Sequence, residues 1–417
     1  MSPRVSVIIP VHNAERYMDE CLTSVQRQTE RDIEIILVDD TSRDRSVTMI
    51  EEAAATDPRI RLLHTTSNKG AGHARNLGVE AAHGVYLAFL DADDFFEPTF
   101  LEEAADALDS YEADLVITKS TTYEVSSGED YETGWTFVAD QVPSAQPFSY
   151  RDMPGHIFNT FSNVPWNKVF RASFVARHHL RFQEVFRTND LLFTCSALVL
   201  AGRIVTIPKP FTHYRVGALT NSQATNERQP LAFFEAFQAL HDVLDEHGIL
   251  PEVEQSFVNH ALDGFLANMA SQRTFEGCRT VFEVRHTYDQ AFGISSRPTE
   301  YFYNTGQIES FRKTLDDDFE HFLFSTLLDT RIERNAAWER GRVIERQMWE
   351  NFHTAKDLKE RNRELEANLD ELNEARAQQE ERIGALEGAR AAVEGSLSFR
   401  IGRTLTAPGR RLRDLLS

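Results

Sequence analysis

The stretch VYLAFLDADDFF (residues 85–96) runs from apolar side chains into three aspartates, Asp91, Asp93 and Asp94. A second acidic pair, Asp39 and Asp40, ends the apolar run IEIILVDD. Two carboxylates about 5 Å apart repel by about 3 kcal/mol at an effective dielectric of 20, so such clusters need a cation or raised pKa values. Oxygen donors without neighbouring His or Cys suit Mg2+ or Mn2+ better than zinc, and those ions usually also hold a phosphate. Between the acidic ends lies NKGAGHARN (residues 68–76), in which Lys69 and Arg75 offer charge to phosphate oxygens and the glycines let backbone come close. A helix-capping role for Asp91 and Asp94 is the plainer alternative, but it leaves Asp39-Asp40 and the basic stretch unexplained. No P-loop lysine motif and no dinucleotide-binding glycine fingerprint occurs, which argues against kinase-like and dehydrogenase chemistry.

The elements that must position these residues read as strand alternating with helix. VSVIIP (5–10), IEIILVDD (33–40), IRLLH (60–64), VYLAFL (85–90) and DLVIT (114–118) are apolar strands, separated by stretches with apolar residues at helical spacing. Strands too apolar to face water, joined by helices, predict a doubly wound, mostly parallel α/β sheet, and in such sheets ligands bind at the carboxyl ends of the strands. Both acidic pairs fall there.

Composition narrows the partners. The 417 residues exceed what one hydrophobic core usually serves, and a net charge of −21 argues against nucleic acid. Cys21, Cys195 and Cys278 have no disulfide or zinc spacing and read as reduced core thiols. The N-terminal apolar run is too short for a signal peptide and no stretch of about 18 apolar residues occurs, so a cytoplasmic location without a membrane span is expected.

Five segments in order, VSVIIPVHNAERYMDECLTSVQRQT, IEIILVDDTSRDRS, NKGAGHARNLGVEAAHGVYLAFLDADD, WNKVF and NDLLF, resemble glycosyltransferase family two, the inverting nucleotide-sugar enzymes of GT-A fold. The resemblance covers about half the chain and extends to transferases that build bacterial surface polysaccharide or teichoic-acid-type polymers. It implies that Pro10, His12, Asn13 and Asp40 grip the nucleotide base, that Arg75 faces nucleotide or phosphate, and that Asp91 and Asp93 form the DxD motif holding ribose and Mn2+ or Mg2+. His12 stands where the family often has Tyr. Asp190 matches the catalytic base, with Asn189 before it where the family commonly has Glu; capping of the next helix is the alternative for Asp190. Trp166, Asn167 and Lys168 match an acceptor or diphosphate segment. His213 and Arg215 match a loop closing on the diphosphate, with His213 a candidate metal ligand. The donor implied is a nucleoside-diphosphate sugar, with uridine as the family's commonest nucleotide. Rival readings are a nucleotidyltransferase, a retaining GT-A enzyme and a sugar-binding scaffold without turnover.

After about residue 226 the alternation stops. The stretch 230–249 sets Phe233, Phe234, Phe237, Leu240 and Leu244 on one helical face, so a helical domain is expected over 226–348 after a transferase domain over 1–225. Over 349–395, Leu358, Leu365, Leu372, Gln379, Leu386 and Val393 recur every seven residues, predicting a coiled coil and a homo-oligomer. The last segment, 396–417, holds Arg400, Arg403, Arg410, Arg411 and Arg413 among apolar residues, and reads as a foot on an anionic membrane surface at the inner face of the cell membrane. Such a foot suits glycan or lipid-linked acceptors.

Overall fold

The computed structural model describes residues 2–217 and 228–395. The basic segment 396–417 and residues 218–227 lie outside the described residues. The chain divides into two compact units, Met1–Leu323 and Phe324–Ser417.

In the first unit the strands β1 (Val5–Val11), β2 (Ile33–Asp39), β3 (Ile60–His64) and β4 (Tyr86–Phe89) pair in parallel, in the order β3-β2-β1-β4. The helices α1 (Met18–Gln26), α2 (Ser46–Ala54) and α3 (Ala71–Ala81) connect them, as a parallel ladder requires. β2 is buried throughout and β1 everywhere but Pro10, so both faces of the sheet are covered.

Beyond β4 the sheet changes character. β5 (Phe95–Phe96), α4 (Phe100–Ser110), β6 (Leu115–Glu124), β7 (Glu129–Glu132), α5 (Ile157–Thr160), β8 (Lys168–Arg171), α6 (Ala172–Arg177), α7 (Leu191–Leu200) and β9 (Ile204–Val216) follow. The sheet order continues β4-β8-β6-β9-β5, with β8 antiparallel to both β4 and β6, β9 parallel to β6 and β5 antiparallel to β9. A mixed GT-A-type sheet results, parallel on the side of the first acidic pair and mixed on the other. The break after β4 matters chemically, because Asp91 leaves the sheet where its two halves meet.

Alternate strand residues feed two cores. Val5, Val7 and Ile9 face α1 and α4, whereas Ile8, Ile36 and Phe89 join the opposite layer. That layer runs without a gap into the helices α8 (Ala232–Glu246), α9 (Leu250–Ala270), α10 (Phe275–Glu283), α11 (Arg285–Phe292) and α12 (Thr305–Asp316), through Phe233, Phe237, Phe257, Phe265 and Tyr288. Ser256 on α9 accepts the Phe158 N–H at 2.9 Å and donates to Asn159 at 2.8 Å. A boundary near residue 225 therefore falls inside one core, because the apolar face of α8 is covered by the sheet's own α7 layer rather than by helices alone.

The second unit consists of the larger part of α13 (Phe319–Gly395). This one helix begins at Phe319 and runs unbroken through the stretch 349–395 for which a coiled coil is expected. Leu358, Leu365, Leu372, Leu386 and Val393 are each more than half exposed, as are Leu369 and Ile383. Among the described residues no helix is long and apolar enough to cross a membrane.

The strand-end aspartates rest on an aromatic cluster: Phe89 meets Phe170, Phe182 and Phe193 edge-on, at 5.8, 5.1 and 5.6 Å between centroids. Replacing Phe89 with Ala removes the ring common to all three contacts. We expect a loss of about 3–5 kcal/mol in urea unfolding, the usual range for a buried Phe→Ala change.

Candidate active site

The site is built on α3. Its N-terminus follows Gly70, at φ 89°, and its first turn runs close to the segment that precedes α7. A Cβ on Gly72 would lie 2.0 Å from the carbonyl oxygen of Gln183 and 3.0 Å from the Asn189 side chain, so only glycine permits this approach. One turn on, Asn76 clamps Phe182 by donating to its C=O and accepting its N–H, at 2.8 and 2.9 Å. Arg75 lies between these anchors. It is 4% exposed, its Nη1 donates to Asn189 Oδ1 at 2.7 Å, and its Nη2 pairs with Asp91 Oδ1 at 2.5 Å. One guanidinium thus joins the acidic end of β4 to the turn that carries Asp190.

Asp91, Asp93 and Asp94 form a tight acidic turn, closed by the Asp94 N–H on the Asp91 carbonyl at 3.0 Å. Asp93 is pushed up to about 6, by burial first and by the charge of Asp91 next. Asp94 is 1% exposed and is raised well above the carboxylate range by burial and by its two acidic neighbours. Its Oδ1 accepts the Arg215 N–H at 2.8 Å, while its Oδ2 is buried without a partner. Among the described residues the Asp93 side chain takes no hydrogen bond from another residue. Among the described residues no group of three or more His, Cys, Asp or Glu side chains is arranged to hold a metal, but the oxygen-only donors of Asp91 and Asp93, the latter unpaired and partly buried, are of the type that would suit a hard divalent cation.

Asp190 sits at the N-cap position of α7, yet its side chain makes no cap hydrogen bond. The capping alternative therefore fails. Thr188, two residues before, adopts φ 58°, a left-handed conformation that a β-branched residue rarely holds. Burial raises Asp190 to about 6, with Asp91 adding to the shift and Arg75 opposing it. Such a carboxyl is a stronger base than an exposed aspartate and still ionised at neutral pH.

At the β1 and β2 ends, His12 Nδ1 lies 2.8 Å from the Asp40 carbonyl, and its Nε2 receives Asn13 Nδ2 at 3.0 Å and Asn68 Nδ2 at 3.1 Å. These contacts fit the Nδ1–H tautomer and leave an exposed ring held in place. Asn13, at φ 52°, accepts the Arg43 N–H at 2.8 Å. Pro10 pairs with Val38 in the ladder just before them. Asp40 behaves differently from a free base-gripping group. Its oxygens accept the Lys69 N–H at 3.1 Å, the Gly70 N–H at 2.7 Å and the Thr65 hydroxyl at 2.7 Å, so it fixes the loop entering α3.

Four of the expected residues have their polar atoms used within the protein. Lys168 is fully buried and donates to Ser162 C=O, Val164 C=O and Asn167 Oδ1 at 2.7, 2.8 and 2.8 Å, which uses all three of its N–H groups. Burial pushes it down to about 7. Asn167, also fully buried, donates to Thr118 C=O at 3.0 Å. His213 stacks on Phe95 at 4.3 Å with one nitrogen 2.8 Å from Asp130 and the other 2.9 Å from Glu97, leaving neither for a metal at Asp91 or Asp93. Arg215 donates to the Asp93 carbonyl at 2.6 Å and to Glu20 at 2.6 Å, and its guanidinium lies over Tyr17, Phe95 and Tyr123. It braces the acidic turn from behind rather than facing a diphosphate. Trp166 is 2% exposed and stacked on Tyr214 at 5.5 Å, with no face free for a sugar.

Two residues beside the site carry no signal in hydrophobic period. Trp135 follows the polar run EDYETG, and Tyr214 lies between His213 and Arg215. Tyr214 lies next to Arg215, whose N–H donates to Asp94 Oδ1 at 2.8 Å, and burial together with the charges of Asp94, Asp93 and Asp91 pushes it up to about 12.

Replacing Lys168 with Met strands three buried acceptors, each worth about 1–3 kcal/mol when left unpaired. We expect a clear drop in the urea midpoint, with unchanged acceptor KM in the protein that remains folded; a raised KM at unchanged stability would return Lys168 to the acceptor site.

The sequence pattern of "Glycosyl transferase family 2" matches residues 6–177. The protein named "Putative glycosyltransferase EpsH" of Bacillus subtilis is 30% identical over 295 residues, covering 68% of this chain and 81% of its own. Glycosyltransferase GlyG of Streptococcus pneumoniae is 31% identical over 218 residues, covering 52% of this chain and 71% of its own. Among solved structures, S. aureus TarS 1-349 in complex with UDP-GlcNAc is 19% identical, with a TM-score of 0.45 over 68% of this chain and 92% of that one. With the strand-end acidic turn, the α3 clamp and a relative matched over four fifths of its length, the chain belongs to glycosyltransferase family 2.

Proposed function

We propose that this glycosyltransferase moves a sugar, with inversion, from a uridine-diphosphate sugar to a hydroxyl of a surface glycan, polymer or lipid-linked acceptor. The observation that carries this reading is Asp190: an uncapped carboxylate raised to about 6, joined through Asn189 and Arg75 to the aspartates that end β4. In the reaction the acceptor oxygen forms a bond to the anomeric carbon as the bond from that carbon to the phosphate oxygen breaks. The acceptor proton passes to a carboxylate oxygen of Asp190, and the nucleoside diphosphate departs with the bonding pair. Attack from the face opposite the leaving group inverts the anomeric centre. His12 and Asn13 at the β1 end are the side chains left to meet the nucleotide base. Asp93 and Asp91 are the residues that would hold Mn2+ or Mg2+, which when bound supplies positive charge to the departing diphosphate. A scaffold without turnover has no use for a strained turn that keeps one carboxylate free and basic.

Asp190→Asn should lower turnover by about 10²–10⁴-fold, the usual worth of a general base, while thermal stabilisation by UDP with Mn2+ is retained. In the unaltered enzyme kcat/KM should rise with pH through about 6 and level off above it, since the base acts only when unprotonated. Retained turnover in the variant, or a rate that falls as pH rises through 6, removes Asp190 from this role.

We infer further that the second unit is where copies of the chain meet. Leu358, Leu365, Leu372, Leu386 and Val393 form an exposed stripe at seven-residue spacing, which a second identical helix covers by knobs-into-holes packing. A lone helix of this polarity buries too little to be stable in water. Light scattering should give a multiple of the 47.6 kDa chain mass, reduced to a single copy when Leu365 and Leu372 are both replaced by Asp.

A further inference from the structure

We propose that Trp135 is the floor of an acceptor subsite and receives the apolar face of a pyranose ring; this rests on the reading of Asp190 as the acceptor's base. Trp135 is 50% exposed, whereas the other two aromatics of its group, Trp166 and Tyr214, are packed face to face at 5.5 Å and 10°. The indole stands nearly perpendicular to both, at 6.1 Å and 87° from Trp166 and 5.8 Å and 77° from Tyr214. An indole seated edge-to-face on a rigid pair is a flat apolar surface offered to solvent, and burying such a surface under a ligand is favourable.

The surface is held, not loose. Thr133 donates to the Ser120 carbonyl at 3.2 Å, and Thr136 shares a hydrogen bond with the Ser120 hydroxyl at 2.9 Å. The Thr136 carbonyl takes the Ser162 N–H, and Val138 N–H reaches the Thr160 carbonyl at 2.9 Å. Two backbone hydrogen bonds and two through threonine hydroxyls tie the chain on either side of Trp135 before any ligand arrives, which reduces the ordering cost of binding.

Sheet order gives the subsite its side. β4 carries the acidic turn at the centre of β3-β2-β1-β4-β8-β6-β9-β5. His12, Asn13 and Asp40 end β1 and β2 on one flank, which leaves that flank for nucleotide. Trp166 precedes β8 and Tyr214 lies on β9, so Trp135 stands on the opposite flank, on a tyrosine whose chain neighbours meet the acidic turn: His213 pairs with Phe95, and the Arg215 N–H donates to Asp94 Oδ1 at 2.8 Å. The donor sugar must lie between the flanks, over Asp91 and Asp93, and the acceptor must approach it from the side that bears Trp135. A saccharide ring matches this surface because one face carries C–H groups and its rim carries hydroxyls.

The test uses the full chain with UDP and Mn2+, and an immobilised panel of neutral oligosaccharides: β-glucan, galactan, rhamnan and N-acetylglucosamine oligomers. Unaltered protein should retain at least one class at millimolar concentration or better. Trp135→Ala should weaken that binding at least tenfold and Trp135→Phe should keep it within about threefold, with the unfolding midpoint and the shift by UDP unchanged in both. Equal binding by Trp135→Ala, or no saccharide retained by the unaltered protein, overturns the subsite. Absence of any UDP shift together with saccharide binding that follows Trp135 would sink the donor reading and leave the subsite standing.

Discussion

Arg75 is the one contact on which the two halves of the site depend. It reaches Asp91 with one guanidinium nitrogen and Asn189 with another, and it lies over the Phe182 ring at 5.3 Å. A buried guanidinium is costly unless its donors are answered; here Nη1 and Nη2 are answered from a turn and a strand end nearly one hundred positions apart in the chain, while Nε is buried without a partner. Gly72 and Asn76 hold α3 against residues 182–189 so that this span stays short. Moving α3 outward by the thickness of a methyl group would strand the arginine and separate the acidic turn from Asp190.

Around that contact the protein keeps more carboxyl groups than water would choose to desolvate. Asp93 and Asp190 are both raised to about 6, and the sign of the cost follows. A carboxyl whose folded pKa lies above its unfolded value favours the folded state at low pH. Its contribution is lost as pH rises from about 4 to about 6, and stays lost above. The site is therefore least comfortable at the neutral pH where a general base is useful. Positive charge offsets part of this: Arg215 braces the back of the acidic turn with its guanidinium on the Asp93 carbonyl, and Lys168, pushed down to about 7 by burial and only partly charged at neutral pH, is a weaker counter-charge held on three acceptors. Both residues are parts of the support and neither is a ligand contact. An observer of residue types alone meets the same basic side chains and assigns them to phosphate.

What was legible in the sequence follows from period and position. The apolar runs ending in Asp40 and Asp91 have strand period and turn chemistry, so the parallel half of the sheet and its acidic ends are read directly from residues 5–90. The antiparallel placement of β8 is not, because four residues of KVFR carry no sign of which neighbours they will pair with. Burial was equally invisible at Trp166: a Trp beside Asn167 and Lys168 reads as a sugar platform, and only packing against Tyr214 and Thr212 reveals it as core. The residue that does expose an indole, Trp135, follows a polar run without period. The start of α13 was hidden for a related reason, since Phe324, Leu327, Ile332 and Trp338 imitate a buried helix in composition while standing exposed in the structure.

Asn189 shows how one neutral substitution tunes the site. Family resemblance places a Glu at this position, and a carboxylate there would neutralise Arg75 from the side opposite Asp91. With Asn the hydrogen bond to Nη1 is kept at 2.7 Å but the second negative charge is gone. Two consequences follow for Asp190. The arginine's positive charge is shared by fewer anions, so more of it acts to hold the base ionised; and no adjacent glutamate pushes the base upward by like-charge repulsion. Burial, which raises Asp190, is opposed by the Arg75 guanidinium, and the balance falls at about 6. If Asp190 is the base proposed above, a carboxyl set there is mostly unprotonated at neutral pH, yet basic enough to take a proton from a hydroxyl whose acidity grows as the anomeric carbon is attacked.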